Sequence, residues 1–352
     1  EQLKLDAAAA SFRKAAARRV GLSEKGPAEQ RLDIMLARGK WPGRAALLAR
    51  SGLWDFRLNR GIGRDGGGVS GLISYVRAGP DASVNPKALF DQAWYLEKNT
   101  DLIGSRWAPL AHYLVAGDKE GRDPHPLFDL KDYRSRHAVK IAATGLSALQ
   151  HFVHKGAIEG FDPHPLFDVR YYVGQAEEVA ASGENPLVHY LREGWRKGYE
   201  PHPLFSGRWY LATNPDVAET DAAPLLHYVA SGAAEGRSPH PLFDAGWYMD
   251  RYRDAAPLGS SPLAYFLTNG TQERRDPSIH FDTAFYLEQQ GQTPDGVHPV
   301  VHYLTEGAFE GVSPAADFNE LSYLIENPAA AEQPISSLEH WVLSRTPKPE
   351  PT

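Results

Sequence analysis

Large aromatic residues return along this chain at almost equal intervals, and the polar and turn-forming residues between them return in step. Phe90, Phe128, Phe167, Phe205, Phe243, Phe281 and Phe318 are separated by 38, 39, 38, 38, 38 and 37 residues. Each is followed by a short polar residue: Asp91, Asp129, Asp168, Ser206, Asp244, Asp282 or Asn319. Such a side chain accepts a hydrogen bond from an unpaired backbone N–H at a helix N-terminus. Four residues beyond the cap stands a tyrosine, at 95, 133, 172, 210, 248, 286 and 323. An apolar residue before the cap and another at the fourth helical position form a hydrophobic staple. The spacing therefore predicts a short helix that ends near Asn-Pro-Asp, as at Asn214-Pro215-Asp216, where turn formers interrupt it.

A second helix is predicted to open at Pro109, Pro186, Pro224, Pro262 or Pro299, because proline is favoured at the first helical position. Leu187, Tyr190 and Leu191 then fall on one helical face. Gly117, Gly156, Gly194, Gly232, Gly270 and Gly307 follow, and each reads as a left-handed C-terminal glycine. A second turn, often Glu-Gly-Arg, leads to His-Pro-Leu-Phe and the next unit.

Two short helices cannot bury their aromatic faces alone, whereas stacked units share one continuous core. The expected fold is all-α: an α-solenoid of about eight helical hairpins of roughly 38 residues. The solenoid is expected to span residues 51–345, with units starting near 53, 89, 127, 166, 204, 242, 280 and 317. The first unit is eroded, with Leu53-Trp54-Asp55 in the Leu-Phe-Asp slot and residues 70–79 in the second-helix slot. Trp209 and Tyr210 are both expected in the core. Residues 1–50 lie outside the repeat, are rich in Ala and Arg, and read as a basic helical extension, a cap or a dimer arm. Residues 346–352 are Pro-rich and read as an extended linker towards something further. The chain starts at Glu1 with neither Met nor an apolar leader, so the expectation is that an upstream segment has been removed.

The phrase HPLFDxxWYLxxNPDVA…NPLxHYLxxGxxEGRDPHPLFD, carried by residues 51–343, resembles a repeat of bacterial proteins of cell-surface polysaccharide production. There it often precedes a glycosyltransferase domain, and similar units occur in large bacterial surface or calcium-binding repeat proteins. The opening Ala49-Arg50-Ser51-Gly52-Leu53-Trp54-Asp55 is similar to the usual start of such an array. The chain departs from the repeat in its first unit, at Tyr265 where other units have His, and in its last unit. The resemblance implies a non-catalytic interaction array, with a glycosyltransferase as the parent protein.

Charge adds an asymmetry. The net charge is −7, yet residues 1–65 hold 14 Lys and Arg against 7 Asp and Glu. A basic head on an acidic body suits an acidic partner, a membrane surface or a second copy of the chain, while a solvated helical surface accounts for the same charges. The repeats carry no basic stripe, which argues against nucleic acid. Cysteine is absent, which removes disulfides, thiolate nucleophiles and Cys-ligated zinc.

Candidate chemistry is sparse. Gly61-Ile62-Gly63-Arg64-Asp65-Gly66 matches GxGxxG, but a phosphate-cradling loop needs a strand before it and a helix after it, and here it occupies a turn slot. There is no Asp-x-Asp, GxSxG or HExxH, so the metal–nucleotide-sugar motif, the nucleophile elbow and the zincin helix are missing. Histidine recurs in pairs thirteen residues apart: His112 with His125, His151 with His164, His189 with His202, and His227 with His240. Recurrent imidazoles can bind metal or sense pH, but zinc wants three or four convergent ligands. A repeated structural hydrogen bond is the simpler account. Three off-pattern aromatics, Trp107, Trp195 and Phe309, are candidates for exposed contacts. No catalytic residue, metal ligand or cofactor is assigned. The leading expectation is an interaction scaffold for a protein partner or a polysaccharide, in the cytoplasm at the inner membrane face. A glycan-binding module and a cell-surface structural array are the alternatives.

Overall fold

A computed structural model describes residues 2–19, 41–54, 69–82, 89–253, 261–270, 273–291, 293–294 and 297–345. Among these residues the elements are helices and turns, with no strand beyond isolated two-residue bridges. The fold is all-α. None of the described helices is long and apolar enough to cross a membrane. The GxGxxG segment, Asp55 and the Pro-rich tail lie outside the described residues.

The chain forms two compact units: one of residues 9–169 and 177–191, the other of 1–8, 170–176 and 192–352. The same module builds both. In the first unit it is complete from Phe90 to Phe128. Asp91 caps the helix Gln92–Lys98 by accepting from the Trp94 N–H, and Phe90 lies 5.1 Å from Tyr95. The second helix starts with Pro109 at its first position and continues as a wide turn, Tyr113–Gly117. In the second unit Ser206 caps Gly207–Thr213, and Pro224–His227 runs into the wide turn Tyr228–Gly232. Asp129, Asp244, Asp282 and Asn319 cap their helices in the same way.

Neighbouring modules are tied through the backbone. The N–H of each cap residue donates to a proline carbonyl one module later: Asp91 to Pro124, Asp129 to Pro163, Ser206 to Pro239, Asp244 to Pro277 and Asp282 to Pro314, at 2.9–3.2 Å. A tyrosine hydroxyl from the preceding second helix then caps the next one. Tyr75 accepts from the Leu110 N–H at 3.0 Å, and Tyr303 from the Leu338 N–H at 3.3 Å. Helix N-termini carry unpaired N–H groups that must find acceptors, so this bond fixes the register between neighbouring modules. The eroded first repeat obeys the same rule: Trp54 takes the phenylalanine's place, 5.1 Å from Tyr75.

The first helix ends at Thr213, at Asn214-Pro215-Asp216 as expected, and Pro215–Ala218 then forms a short helix of its own with Pro215 at its first position. Two expectations need correction. Trp209 is half-buried, whereas Tyr210 is fully buried. The core position is the fourth residue of the helix, which points at Phe205, and its neighbour is turned outward. Finally, Gly117, Gly156 and Gly232 are not left-handed. In the second turn the glycines Gly121, Gly160, Gly198, Gly236 and Gly311 are left-handed.

Candidate functional site

The first set of glycines has a different task. Each closes a π-helical turn in which the N–H of one residue reaches the carbonyl five residues back: Asp118 to Tyr113, Ala233 to Tyr228 and Ala308 to Tyr303. Such turns are inserted where a helix must present its groups unusually. Here the widening sets the glycine close above the helix histidine and leaves a slot for the tyrosine hydroxyl of the first helix. That hydroxyl meets the histidine Nδ1: Tyr95–His112 at 3.0 Å, Tyr133–His151 at 2.8 Å, Tyr210–His227 at 2.9 Å, Tyr286–His302 at 2.6 Å and Tyr323–His340 at 2.7 Å. A Cβ on Gly117, Gly156, Gly232 or Gly307 would collide with the same hydroxyl. In the modules of Gly117, Gly156, Gly232 and Gly307, tyrosine, histidine and glycine therefore form one lock. The histidine Nε2 of His112, His189 and His302 faces Glu120, Glu178 and Glu306 respectively at 3.5–3.9 Å.

The loop histidines have a second, equally regular role. In His125, His164, His202 and His240 the ring Nδ1 accepts the backbone N–H two residues on, at 3.0–3.1 Å. Each carbonyl accepts from the following phenylalanine N–H, closing the His-Pro-Leu-Phe turn. All four rings are buried. Because Nδ1 accepts, the ring proton must sit on Nε2. Burial pushes His125 and His164 down to about 4 and His202 to about 3. His298, which the repeat did not single out, packs its ring 4.0 Å from Phe266 and is likewise pushed down by burial to about 3.

These shifts fix the sign of a pH response. A histidine whose folded pKa lies below its unfolded value near 6.5 takes up its proton on unfolding between the two values. Its stabilising contribution is complete above about 6.5 and is lost as pH falls towards 4. Burial also raises Asp123, to about 6, and lifts Asp132, Glu200, Asp276 and Glu320 in the same direction, which opposes the trend. Burial lowers His112, His137, His151 and His280 as well, so the lowered histidines outnumber the raised carboxyls. Calorimetry from pH 7 to pH 5 is expected to show a falling Tm with net proton uptake on unfolding, whereas a flat or rising Tm would contradict the buried neutral rings.

Arginine forms the third recurrent cluster. Arg122 bonds Asn99 at 2.9 Å, Asp101 at 2.7 Å and Glu120 at 2.7 Å. Arg237 repeats this with Asn214 at 2.9 Å, Asp216 at 2.8 Å and Glu235 at 2.6 Å. This explains Asn-Pro-Asp and Glu-Gly-Arg together: both belong to one clamp. Phe161 replaces the arginine in one module, and His137 stacks on it at 4.0 Å.

The predicted aromatic contacts divide. Trp107 and Trp195 are half-buried rather than exposed, because guanidinium groups cover them: Arg44 lies 3.6 Å above Trp107 and Arg196 lies 4.3 Å from the Trp195 centroid. Phe309 is 63% exposed. It borders a cavity of about 480 Å³ in the second unit, shared with Tyr171, Glu200, Arg208, His240 and Glu339. His240 Nε2 donates to Glu339 Oε1 at 3.2 Å, and Glu339 Oε2 accepts from the Ser336 N–H and hydroxyl at 2.9 and 2.8 Å. Burial opposes the Glu339 charge, but the His240 hydrogen bond and the Ser336 donors outweigh it and hold the carboxyl below its ordinary range. Glu200 is pushed the other way by burial, against the N–H donors of Gly207 and Arg208. Of the sequence-predicted histidines, the cavity therefore takes His240 alone. Glu339 was legible as the fourth residue of a Ser-x-x-Glu capping box, but its contact with His240, 99 residues away in the chain, was not.

Among the described residues no group of three or more His, Asp or Glu is arranged to hold a metal ion. No protein family model, curated protein or solved structure matches this chain.

Proposed function

We propose that this chain is a non-catalytic helical-repeat scaffold, the interaction array of a bacterial polysaccharide-assembly glycosyltransferase or of its partner. One observation carries the scaffold reading. The residue types that most often do chemistry are used here, module after module, to build the array. The helix histidines hold tyrosines, the loop histidines close turns, the aspartates cap helices, and the arginines clamp Asn-Pro-Asp. Exposed positions differ between modules, as at Lys131, Arg208 and Gly246, and a repeat protein diversifies a binding surface on such a frame. The polysaccharide assignment rests on the resemblance of the repeat phrase.

The purified chain, incubated with nucleotide sugars and candidate acceptors, is expected to give no transfer or hydrolysis above the blank. Crosslinking in the source cells is expected to trap polysaccharide-assembly proteins. Turnover by the chain alone, abolished by substitution in the 480 Å³ cavity, would overturn the scaffold reading.

The cavity favours a second reading, a glycan-binding module. Aromatic faces at Tyr171 and Phe309 beside Glu200, Arg208 and Glu339 combine apolar and polar groups as ligand pockets do. Affinity electrophoresis with neutral and acidic polysaccharides separates the readings. Retardation lost in Phe309→Ala supports glycan binding, and unretarded migration leaves the protein-binding scaffold.

A further inference from the structure

In the modules before the last, the outward face of the first helix carries no large apolar side chain two residues before or after the tyrosine. Two residues before the buried tyrosine stand Lys131, Arg208 or Gly246, and two residues after it stand Glu97, Asp250 or Glu288, all exposed. In the last module the same positions, around Tyr323, hold Leu321 and Ile325, which are 60% and 79% exposed. They are four residues apart and share a helical face. Leu321 also borders a hollow of about 240 Å³ with Phe309, Leu324 and Ile335. A terminal repeat ordinarily needs a polar outer face to stay soluble, and grouped exposed apolar side chains mark interaction surfaces. Charge narrows the occupant. Residues 306–345 contain seven Asp and Glu against one Arg. Glu310 lines the hollow, and Glu326 and Glu332 are exposed on the same module. The complementary surface is basic and lightly apolar.

The chain itself carries such a surface. On the helix Gln2–Arg19, Lys4, Ala7, Ser11 and Lys14 are all exposed. Their spacing of three, four and three puts them on one face, with small residues in the middle and cations at the ends. Small side chains there would let Leu321, Ile325 and Phe309 of another chain approach such a helix closely, with the lysines opposite the glutamates. We propose that the last module docks the basic N-terminal helix of a second copy, in a head-to-tail contact between identical chains. Such a contact is heterologous, so it closes into a ring or propagates. It is separate from any partner held elsewhere on the array, and its failure leaves the scaffold reading standing.

Sedimentation equilibrium of the full 352-residue chain tests it. In low salt the weight-average mass is expected to rise with concentration above 38.8 kDa. It should fall back in ~1 M salt, where the screening length shrinks to about 3 Å. The variant L321E/I325E is expected to stay at the monomer mass, with unchanged circular dichroism and Tm because both side chains are exposed. The variant K4E/K14E should weaken association by about tenfold or more, and combining it with E326K/E332K should restore it. A wild-type mass of 38.8 kDa at every concentration in low salt would overturn the proposal. So would an L321E/I325E variant that associates like the wild type.

Discussion

Tyr210→Ala is expected to cost about 3–5 kcal/mol of stability, whereas Trp209→Ala, one residue earlier, is expected to cost less than about 2 kcal/mol. The difference follows from where the two rings go. Tyr210 is fully buried, 5.8 Å from Phe205 and 5.8 Å from Tyr228 in an edge-to-face contact, and its hydroxyl meets His227. Truncation removes a ring from a close-packed aromatic cluster and leaves the His227 Nδ1 without its partner, so a cavity cost and a polar cost act together. Trp209 is half-buried, and its removal uncovers surface without emptying a core. Urea unfolding of the two variants beside the wild type checks the contrast. Equal losses would mean that the core has been misplaced by one residue.

Gly232→Ala is the second large effect, expected to cost about 1–3 kcal/mol although Ala is the better helix former. A methyl group at residue 232 would enter the space of the Tyr210 hydroxyl and would also crowd the Tyr210 Cζ at 3.3 Å, with His227 Nδ1 at 3.4 Å. The hydroxyl is the main obstacle, and this makes a pairwise prediction. Tyr210→Phe alone should cost about 1 kcal/mol through the lost hydrogen bond. The combination Tyr210→Phe with Gly232→Ala should cost less than the sum of the two by about 1 kcal/mol or more, because the clash is gone in the double variant. Strict additivity, or a neutral Gly232→Ala, would show that the tyrosine, histidine and glycine do not form a lock.

The module was legible in the sequence wherever a residue acts on its own neighbours. The caps at Asp91 and Ser206, the Phe–Tyr staple and the prolines at helix starts all use chain-local geometry, and they stand where periodicity puts them. What escaped were contacts made between the two helices of a module. Gly232 and its equivalents looked like C-caps because a glycine after an apolar helical run usually is one. The π turn that displaces the left-handed position to Gly236 depends on a tyrosine from the other helix. The Arg237 clamp likewise joins Asn214 and Asp216 to a residue more than twenty positions later. The exposed aromatics were misjudged for a related reason. The covers over Trp107 and Trp195 are arginine side chains, and in the case of Arg44 the cover comes from a distant part of the chain.

The cavity stands at the limit of such reading. Its histidine belongs to a periodic position, but its carboxylates belong to a loop and a cap, and only the fold gathers them. Leu321 and Ile325 could have been found by lining up the modules and asking where an outward position turns apolar.

The claim on which the rest depends is that the recurrent histidines are neutral structural pins. Long-range ¹H–¹⁵N correlation spectra of the imidazole rings at pH 7, in the full chain, test it most directly. His125, His164 and His202 are expected as neutral rings protonated on Nε2, since each Nδ1 accepts a backbone N–H. His112 is expected in the same form, with Nδ1 facing a tyrosine hydroxyl and Nε2 facing a glutamate. Rings protonated on Nδ1, or present as imidazolium at pH 7, would contradict the account and return these histidines to the search for a functional site.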